Sequence, residues 1–204
     1  EKCWQAAEME TGFRMPEGFY FTLIGQTMPL IERRLVEVMD PACDIAAFLA
    51  VASRHYNHAI LDQPIPVKQG AARLLRMLSE RAIPLCLATS TGRKLADHKL
   101  QSTGLAEFLP ERVCGDEVDN SKPAPDIYLE AARRLGLAPT CLLAVEDSGN
   151  GMCAALEAGC MVAHVPDIAP VPLEIQRRAG RIYRSLDELC SAIDRAELVF
   201  TASL

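Results

Sequence analysis

Three short stretches hold residues whose types and spacing suit an anion and a hard cation. Thr89-Ser90-Thr91-Gly92 closes the apolar run Ile83–Ala88 and precedes a helical pattern. Hydroxyls and fresh backbone N–H groups at a helix start can hold an anion, and the same residues can equally be an N-cap with spare hydroxyls. Glu146-Asp147 closes a second apolar run, Cys141–Val145, and is followed by Ser148-Gly149-Asn150-Gly151. Adjacent carboxylates at a strand end repel unless a cation or proton lies between them. Oxygen-only ligands suit Mg²⁺, and the glycines permit close backbone approach to a ligand. The alternative is two solvated acids in a loop. Lys122 stands in Asn120-Ser121-Lys122-Pro123-Ala124-Pro125-Asp126. The prolines fix the backbone around it and start the next helix. Held near a phosphate, that lysine would neutralise developing charge; otherwise it is a surface residue.

Positioning these groups requires strands that end where helices begin, and the sequence beyond residue 67 alternates in that way. Helical patterns cover Gly70–Ala82, Arg93–Ser102, Asp126–Leu135 (closed by Gly136) and the stretch after Gly151 to about Ala158. Apolar runs at 83–88, 112–114, 141–145 and 161–165 read as strands. Such alternation implies an α/β fold, a parallel sheet with helices on both faces, with ligands at the carboxyl ends of the strands. Residues 1–64 have a different texture. Leu30, Ile31, Leu35, Val36 and Met39 recur at helical spacing, Asp44 is a candidate N-cap for a helix to Ile60, and Asp62–Pro66 breaks the pattern. Two domains are expected, a helical one over 1–64 and an α/β one over 65–204.

Composition narrows the function. The 204 residues are 50% hydrophobic with a net charge of −6 and no basic run, which argues against a nucleic-acid binder. The longest apolar run, Ile45–Ala52, is far short of a membrane span, and no secretory leader opens the chain. The eight cysteines never approach closer than seven positions, so no CxxC pattern exists. They read as reduced thiols in a cytoplasmic protein.

Order and spacing together are more specific than any single stretch. Leu87-Ala88-Thr89-Ser90-Thr91, Ser121-Lys122-Pro123-Ala124-Pro125-Asp126-Ile127-Tyr128 and Val145-Glu146-Asp147-Ser148-Gly149-Asn150-Gly151 resemble the second, third and fourth motifs of the haloacid dehalogenase-like hydrolases. The resemblance is nearest the subgroup of phosphoglycolate phosphatases, sugar-phosphate phosphatases and β-phosphoglucomutases. It implies a Rossmann-like parallel sheet core with a small helical cap, and an Mg²⁺-dependent hydrolase acting on a small phosphorylated metabolite; the oligomeric state stays open, a monomer being slightly favoured. By the same resemblance, the Thr89 hydroxyl and the Ser90 N–H hold the transferring phosphoryl group. Lys122 bridges its oxygens and the nucleophile, and Glu146 and Asp147 hold the metal. Positioning and charge neutralisation are what phosphoryl transfer demands.

The family's first motif, Asp-x-Asp-Gly-Thr/Val at the end of a central first strand, is absent: Asp40, Asp44 and Asp62 sit in helical patterns without it. The opening Glu1-Lys2-Cys3-Trp4 resembles the cap helix that follows this motif. The expectation is a chain that lacks its nucleophile and shows no turnover, with a gap in the sheet between the strands ending at Thr89 and Glu146. Cap residues select the substrate in this family, and Tyr20, Gln26, Thr27 and Met28 are the candidates. Met28 occupies the position, three after Gly25, where the mutases carry a phosphate-clamping arginine, which favours a phosphatase over a β-phosphoglucomutase-like mutase. A non-catalytic protein that binds a phosphorylated metabolite is the opposing class. His55 and His58 share a helical face as cap-packing residues or, with a third ligand, a metal site.

Overall fold

The computed structural model describes residues 2–24, 26, 28–62 and 64–195. It divides into two compact units, Glu1–Ile65 and Pro66–Leu204.

The described elements of the first unit are all helices: α1 Lys2–Thr11, α2 Phe19–Leu23, α3 Met28–Val38 and α4 Ile45–Asp62. Asp44 caps α4, its Oδ1 accepting the Ala47 N–H at 3.0 Å. The helix runs to Asp62, into the stretch expected to break it, while Gln63 lies outside the described residues. The expected apolar stripe of α3 divides. Ile31, Leu35 and Met39 are buried with Phe48, Leu49 and Ala52 of α4, whereas Val36 is exposed.

The second unit alternates as expected: α5 Ala71–Glu80, β1 Cys86–Thr89, α6 Arg93–Ser102, β2 Glu111–Cys114, α7 Asp126–Leu135, β3 Leu143–Glu146, α8 Gly149–Glu157, β4 Met161–His164, a short α9 Leu173–Gln176, β5 Arg181–Ile182 and α10 Leu186–Asp194. Two strands begin later than their apolar runs. Pro84 has no N–H to give, and the Ile83 N–H closes back onto the Leu78 carbonyl at the end of α5 at 3.0 Å, so β1 starts at Cys86. Cys141 belongs to a 3₁₀ turn, Pro139–Cys141, so β3 starts at Leu143 and takes Glu146 as its last residue.

All strand pairs are parallel, in two separate ladders. β1 pairs with β2 (Cys86 opposite Glu111), and β4 lies between β3 and β5 (Leu143 opposite Met161, Ala163 opposite Arg181). Among the described residues β1 and β3 do not pair. Between them lies a cavity of about 890 Å³, lined by Cys86, Leu87 and Ala88 of β1, Leu143, Ala144 and Val145 of β3, and side chains of α5, α7 and α10. The exposure of Val145, 41% on a strand of the sheet, follows from that gap. The gap expected between the strands ending at Thr89 and Glu146 is therefore present.

Two apolar layers sandwich the ladders. Val113, Ile127, Ala131, Ala144, Met152, Ala155 and Val162 pack on the α7/α8 side, and Leu74, Leu78, Ala163, Val165, Leu186 and Leu189 on the α5/α10 side. Alternation along the strands thus places Glu146 and His164 on the α7/α8 face, with Ala144 and Val162.

Candidate active site

β1 delivers Thr89 at its last position, and the turn after it delivers Ser90 and Thr91. The Thr89 Oγ1 accepts the Thr91 N–H at 3.1 Å, so this hydroxyl both orders the turn and lines the strand end. Ser90 is exposed, and its backbone lies against Gly115, where a Cβ would collide with the Ser90 carbonyl. The turn is tied further at Thr91, whose carbonyl accepts the Gly115 N–H at 3.1 Å. The Asp116 carboxylate accepts the Arg93 N–H at 2.9 and 3.1 Å, capping the start of α6.

At the end of β3 the Glu146 carboxylate is 7% exposed. Its Oε1 takes the Lys122 ammonium and the Tyr128 hydroxyl, and its Oε2 takes the Ser148 hydroxyl at 3.2 Å. Lys122 is equally buried. Besides Glu146, its Nζ reaches the Ala88 carbonyl at 3.2 Å and the Tyr128 Oη at 3.4 Å. All three ammonium protons thereby have partners, and this one side chain ties the carboxyl end of β1 to that of β3. Burial and the neighbouring Glu146 push the Tyr128 phenol well above its usual range, so it stays protonated and donates. Ser148 also caps α8 by accepting the Gly151 N–H at 3.1 Å. Gly151 is required at this turn because any Cβ there would run into the Glu146 carboxylate.

Asp147 follows directly. Its carboxyl is pushed up, first by burial and then by the charge of Glu146. Among the described residues, no three His, Cys, Asp or Glu gather into a metal cluster. The donors present fit Mg²⁺ all the same, since it is commonly held by one or two carboxylates while water and phosphate complete its shell. Asp147 is the better placed of the pair, because protein donors already occupy both oxygens of Glu146.

Thr89, Lys122, Glu146 and Asp147 are thus brought to the carboxyl ends of β1 and β3. Sequence reasoning missed Tyr128 and Ser148, although Tyr128 lies in one of the motifs and Ser148 precedes a glycine turn in another. In the helical unit, Gln26 donates from Nε2 to the Thr22 carbonyl at 2.8 Å, Tyr20 lies against the rings of Trp4 and Phe21, Met28 is 47% exposed, and Thr27 is outside the described residues. His55 lies 3.0 Å from the Glu10 carboxylate, which also takes Arg54. All eight cysteines are free thiols, and no helix among the described residues is long and apolar enough to cross a membrane.

Residues 3–159 match the family description "haloacid dehalogenase-like hydrolase". A Drosophila melanogaster protein named "Probable pseudouridine-5'-phosphatase" is 45% identical over 118 residues, 54% of this chain and 51% of that protein. The bifunctional riboflavin kinase/FMN phosphatase of Arabidopsis thaliana is 35% identical over 172 residues, 84% of this chain and 43% of that protein. The chain spans about half the length of such curated relatives. Among solved structures, CbbY from Rhodobacter sphaeroides in complex with xylulose-1,5-bisphosphate superposes with a TM-score of 0.78 at 25% identity, covering 92% of this chain and 87% of that one. A hydrolase of the same family from Deinococcus radiodurans, with bound phosphate and sodium, superposes with a TM-score of 0.74 at 27% identity, covering 98% and 90%.

Proposed function

The chain belongs to the haloacid dehalogenase-like hydrolase family, and we propose that it forms most of a cytoplasmic, Mg²⁺-dependent phosphatase for a small phosphorylated metabolite. In this reading, a strand carrying the nucleophilic aspartate fills the space between β1 and β3. The observation that carries the proposal is the convergence of Lys122 on both strand ends: its ammonium reaches the Ala88 carbonyl beside Thr89 and the carboxylate of Glu146 beside Asp147. A phosphoryl group seated there would meet the Thr89 hydroxyl, the Ser90 N–H and the Lys122 charge together. Asp147 and Glu146 would hold Mg²⁺, which would supply positive charge to the phosphoryl oxygens. Glu146 keeps Lys122 in place, and Tyr128 and Ser148 keep Glu146 in place. A carboxylate oxygen of the nucleophile would attack phosphorus as the ester P–O bond breaks and the substrate's alcohol leaves with a proton, and water would then cleave the aspartyl-phosphate to inorganic phosphate and the free aspartate. The helical unit would serve as the cap, and Tyr20, Gln26, Thr27 and Met28 are its candidates for selecting the substrate. The relatives named as phosphatases support hydrolysis over mutase chemistry, as does the uncharged Met28.

A form of the protein with an Asp-x-Asp-Gly strand joined ahead of residue 1 should release phosphate from at least one of a panel of sugar phosphates, phosphoglycolate and nucleoside monophosphates, and only with Mg²⁺. The 204-residue chain itself should turn over none, because no other carboxylate is held in line and a 1 Å misplacement alone can cost about 100-fold. A folded, Mg²⁺-loaded extended form without activity on the whole panel sinks the phosphatase reading. Turnover by the 204-residue chain sinks the assignment of the nucleophile.

A further inference from the structure

Among the described residues, β1 pairs with β2 alone and β3 with β4 alone, so each turns its other edge to the space between them. Along a parallel strand the backbone N–H and C=O groups point to both sides in turn, and those aimed into the space suit another extended chain. The walls set the length and composition of that chain. β1 and β3 are four residues each, about 13 Å at about 3.3 Å per residue. Leu78, Leu189 and Ile193 close one face and Tyr128, Ala131 and Leu135 the other, so a strand here is covered on both faces and must be apolar at consecutive positions. Direction follows from charge. Helices α6 and α8 begin just beyond the carboxyl ends of β1 and β3, where the Lys122 ammonium also lies. Helices α5 and α7 end toward the amino ends, where Arg81 is already paired with Asp194. These helix termini favour an acidic group at the first end and a basic one at the second. Every strand pair of the protein is parallel, which agrees with that direction. Val145 is exposed, so the space opens to solvent.

We propose that this space is a docking groove for a separate peptide: an extended segment of another polypeptide, with about four consecutive apolar residues followed by an acidic one, that enters parallel to β1 and β3 and joins the two ladders. It rests on the reading that a strand fills this space, and adds that the strand need not be joined to residue 1. Ordinary strand addition uses a single sheet edge. Here two edges face one guest, and Lys122 fixes their spacing by bonding the Ala88 carbonyl and Glu146 together. The guest thus completes two ladders at once and buries both of its faces. A second copy of this chain is a poorer guest. It could offer only its outer strands β2 and β5, and these carry Arg112 and Arg181 where an apolar run is needed.

The test uses the full 204-residue chain and the amidated peptide Lys-Lys-Val-Ile-Val-Phe-Asp with a dye at its amino end, binding being read by fluorescence anisotropy. Binding should saturate at one peptide per chain, and amide exchange should slow across Cys86–Thr89 and Leu143–Glu146 together. Proline in place of the peptide's isoleucine removes a ladder donor and should weaken binding about 10-fold. The same residues in reverse order put the acid at the wrong end and should bind about 5-fold more weakly. Val145→Asp places a charge on the lining at an already exposed position and should weaken binding about 10-fold without lowering the thermal midpoint. Absence of saturable binding, equal binding of the proline or reversed peptide, protection of one strand alone, or undiminished binding by Val145→Asp overturns the proposal. A chain that is dimeric by light scattering and stays so with peptide present puts a second copy in the groove and overturns it too. The phosphatase reading is decided separately. An active strand-joined form beside a 204-residue chain that binds no peptide removes the groove alone. Peptide binding beside an inactive strand-joined form upholds the groove and removes the phosphatase.

Discussion

The carboxyl ends of β1 and β3 carry comparable polar residues and are held in opposite ways. At β3, a buried carboxylate is met by an ammonium, a phenol and a serine hydroxyl, and a glycine leaves it room. At β1, the turn is ordered locally, the strand faces an apolar cavity, and the acids and arginines that surround β2 lie toward the surface. Arg93 pairs with Glu117, Arg112 with Asp97, and Arg134 with Glu130 and Glu117. The β3 end is therefore closed by its own side chains, whereas the β1 end borders backbone and apolar surface. Unpaired strand edges and an unfilled core layer are costly, so the two ends should respond very differently to perturbation.

The largest effect should come from filling the gap. Joining an apolar strand ahead of residue 1 should raise both the urea midpoint and the slope of unfolding, because more surface is buried on folding. Amide exchange should slow across Cys86–Thr89 and Leu143–Glu146 together. An unchanged midpoint with unchanged exchange would mean that β1 and β3 already satisfy each other, and the contrast between the two ends would dissolve.

Next in size is the buried pair. Lys122→Met leaves Glu146 charged and buried without its counter-ion, which by analogy with other buried pairs costs about 3–5 kcal/mol. Urea denaturation measures this directly. A loss under about 1 kcal/mol, in the range of exposed pairs, would show that water reaches Glu146 and that the β3 end is no better sealed than the surface of β2.

This contrast also explains what could be read from the sequence. The helices α6 and α7 match their expected bounds because punctuation frames them: Gly92 before α6, and Pro125 and Gly136 around α7. The strand ends were legible as apolar runs meeting polar residues. Their starts were not, since Pro84 and the Pro139 turn remove residues from the ladder without interrupting the apolar run. β5 is two exposed residues, Arg181 and Ile182, too short for any period to emerge. α10 was missed although Ser185 and Glu188 form a readable cap, with Ser185 accepting the Glu188 N–H at 3.1 Å and Glu188 accepting the Arg184 N–H at 2.6 Å. At the site, Thr89, Lys122, Glu146 and Asp147 announced themselves by charge and place. Tyr128 did not, because an aromatic ring among apolar neighbours reads as core until the fold shows what its polar atom faces.

Tyr128→Phe should come third. It keeps the ring in the α7 layer and removes one hydrogen bond to a charged group, for which about 1.5–3 kcal/mol is expected. Thermal or urea unfolding checks it, and crossing it with Lys122→Met sharpens the comparison. The double variant should lose less than the sum of the two single losses, because both act on the same Glu146 oxygen. Strict additivity would mean that the three groups do not work as one network.

The smallest effect belongs to the surface of the β1–β2 half. Arg133 and Arg134 hold the Glu130 carboxyl down at about 2 from its ordinary 4.5. A carboxylate lowered in the folded state contributes stability above its unfolded value and loses it as the pH falls from about 4.5 to about 2. The Arg133 partner is 71% exposed, so solvent screens much of the interaction, and two surface pairs of this kind are worth no more than about 1 kcal/mol together. Glu130→Gln should therefore destabilise the chain slightly at neutral pH, and the difference from wild type should vanish near pH 2. Raising the salt to about 1 M, where the screening length shrinks to about 3 Å, should shrink the difference in the same way. The loss from Lys122→Met should survive that salt, because its partner is sealed beneath Tyr128 and α8. Equal salt sensitivity of the two variants would break the distinction between a buried clamp at β3 and a solvated lattice around β2.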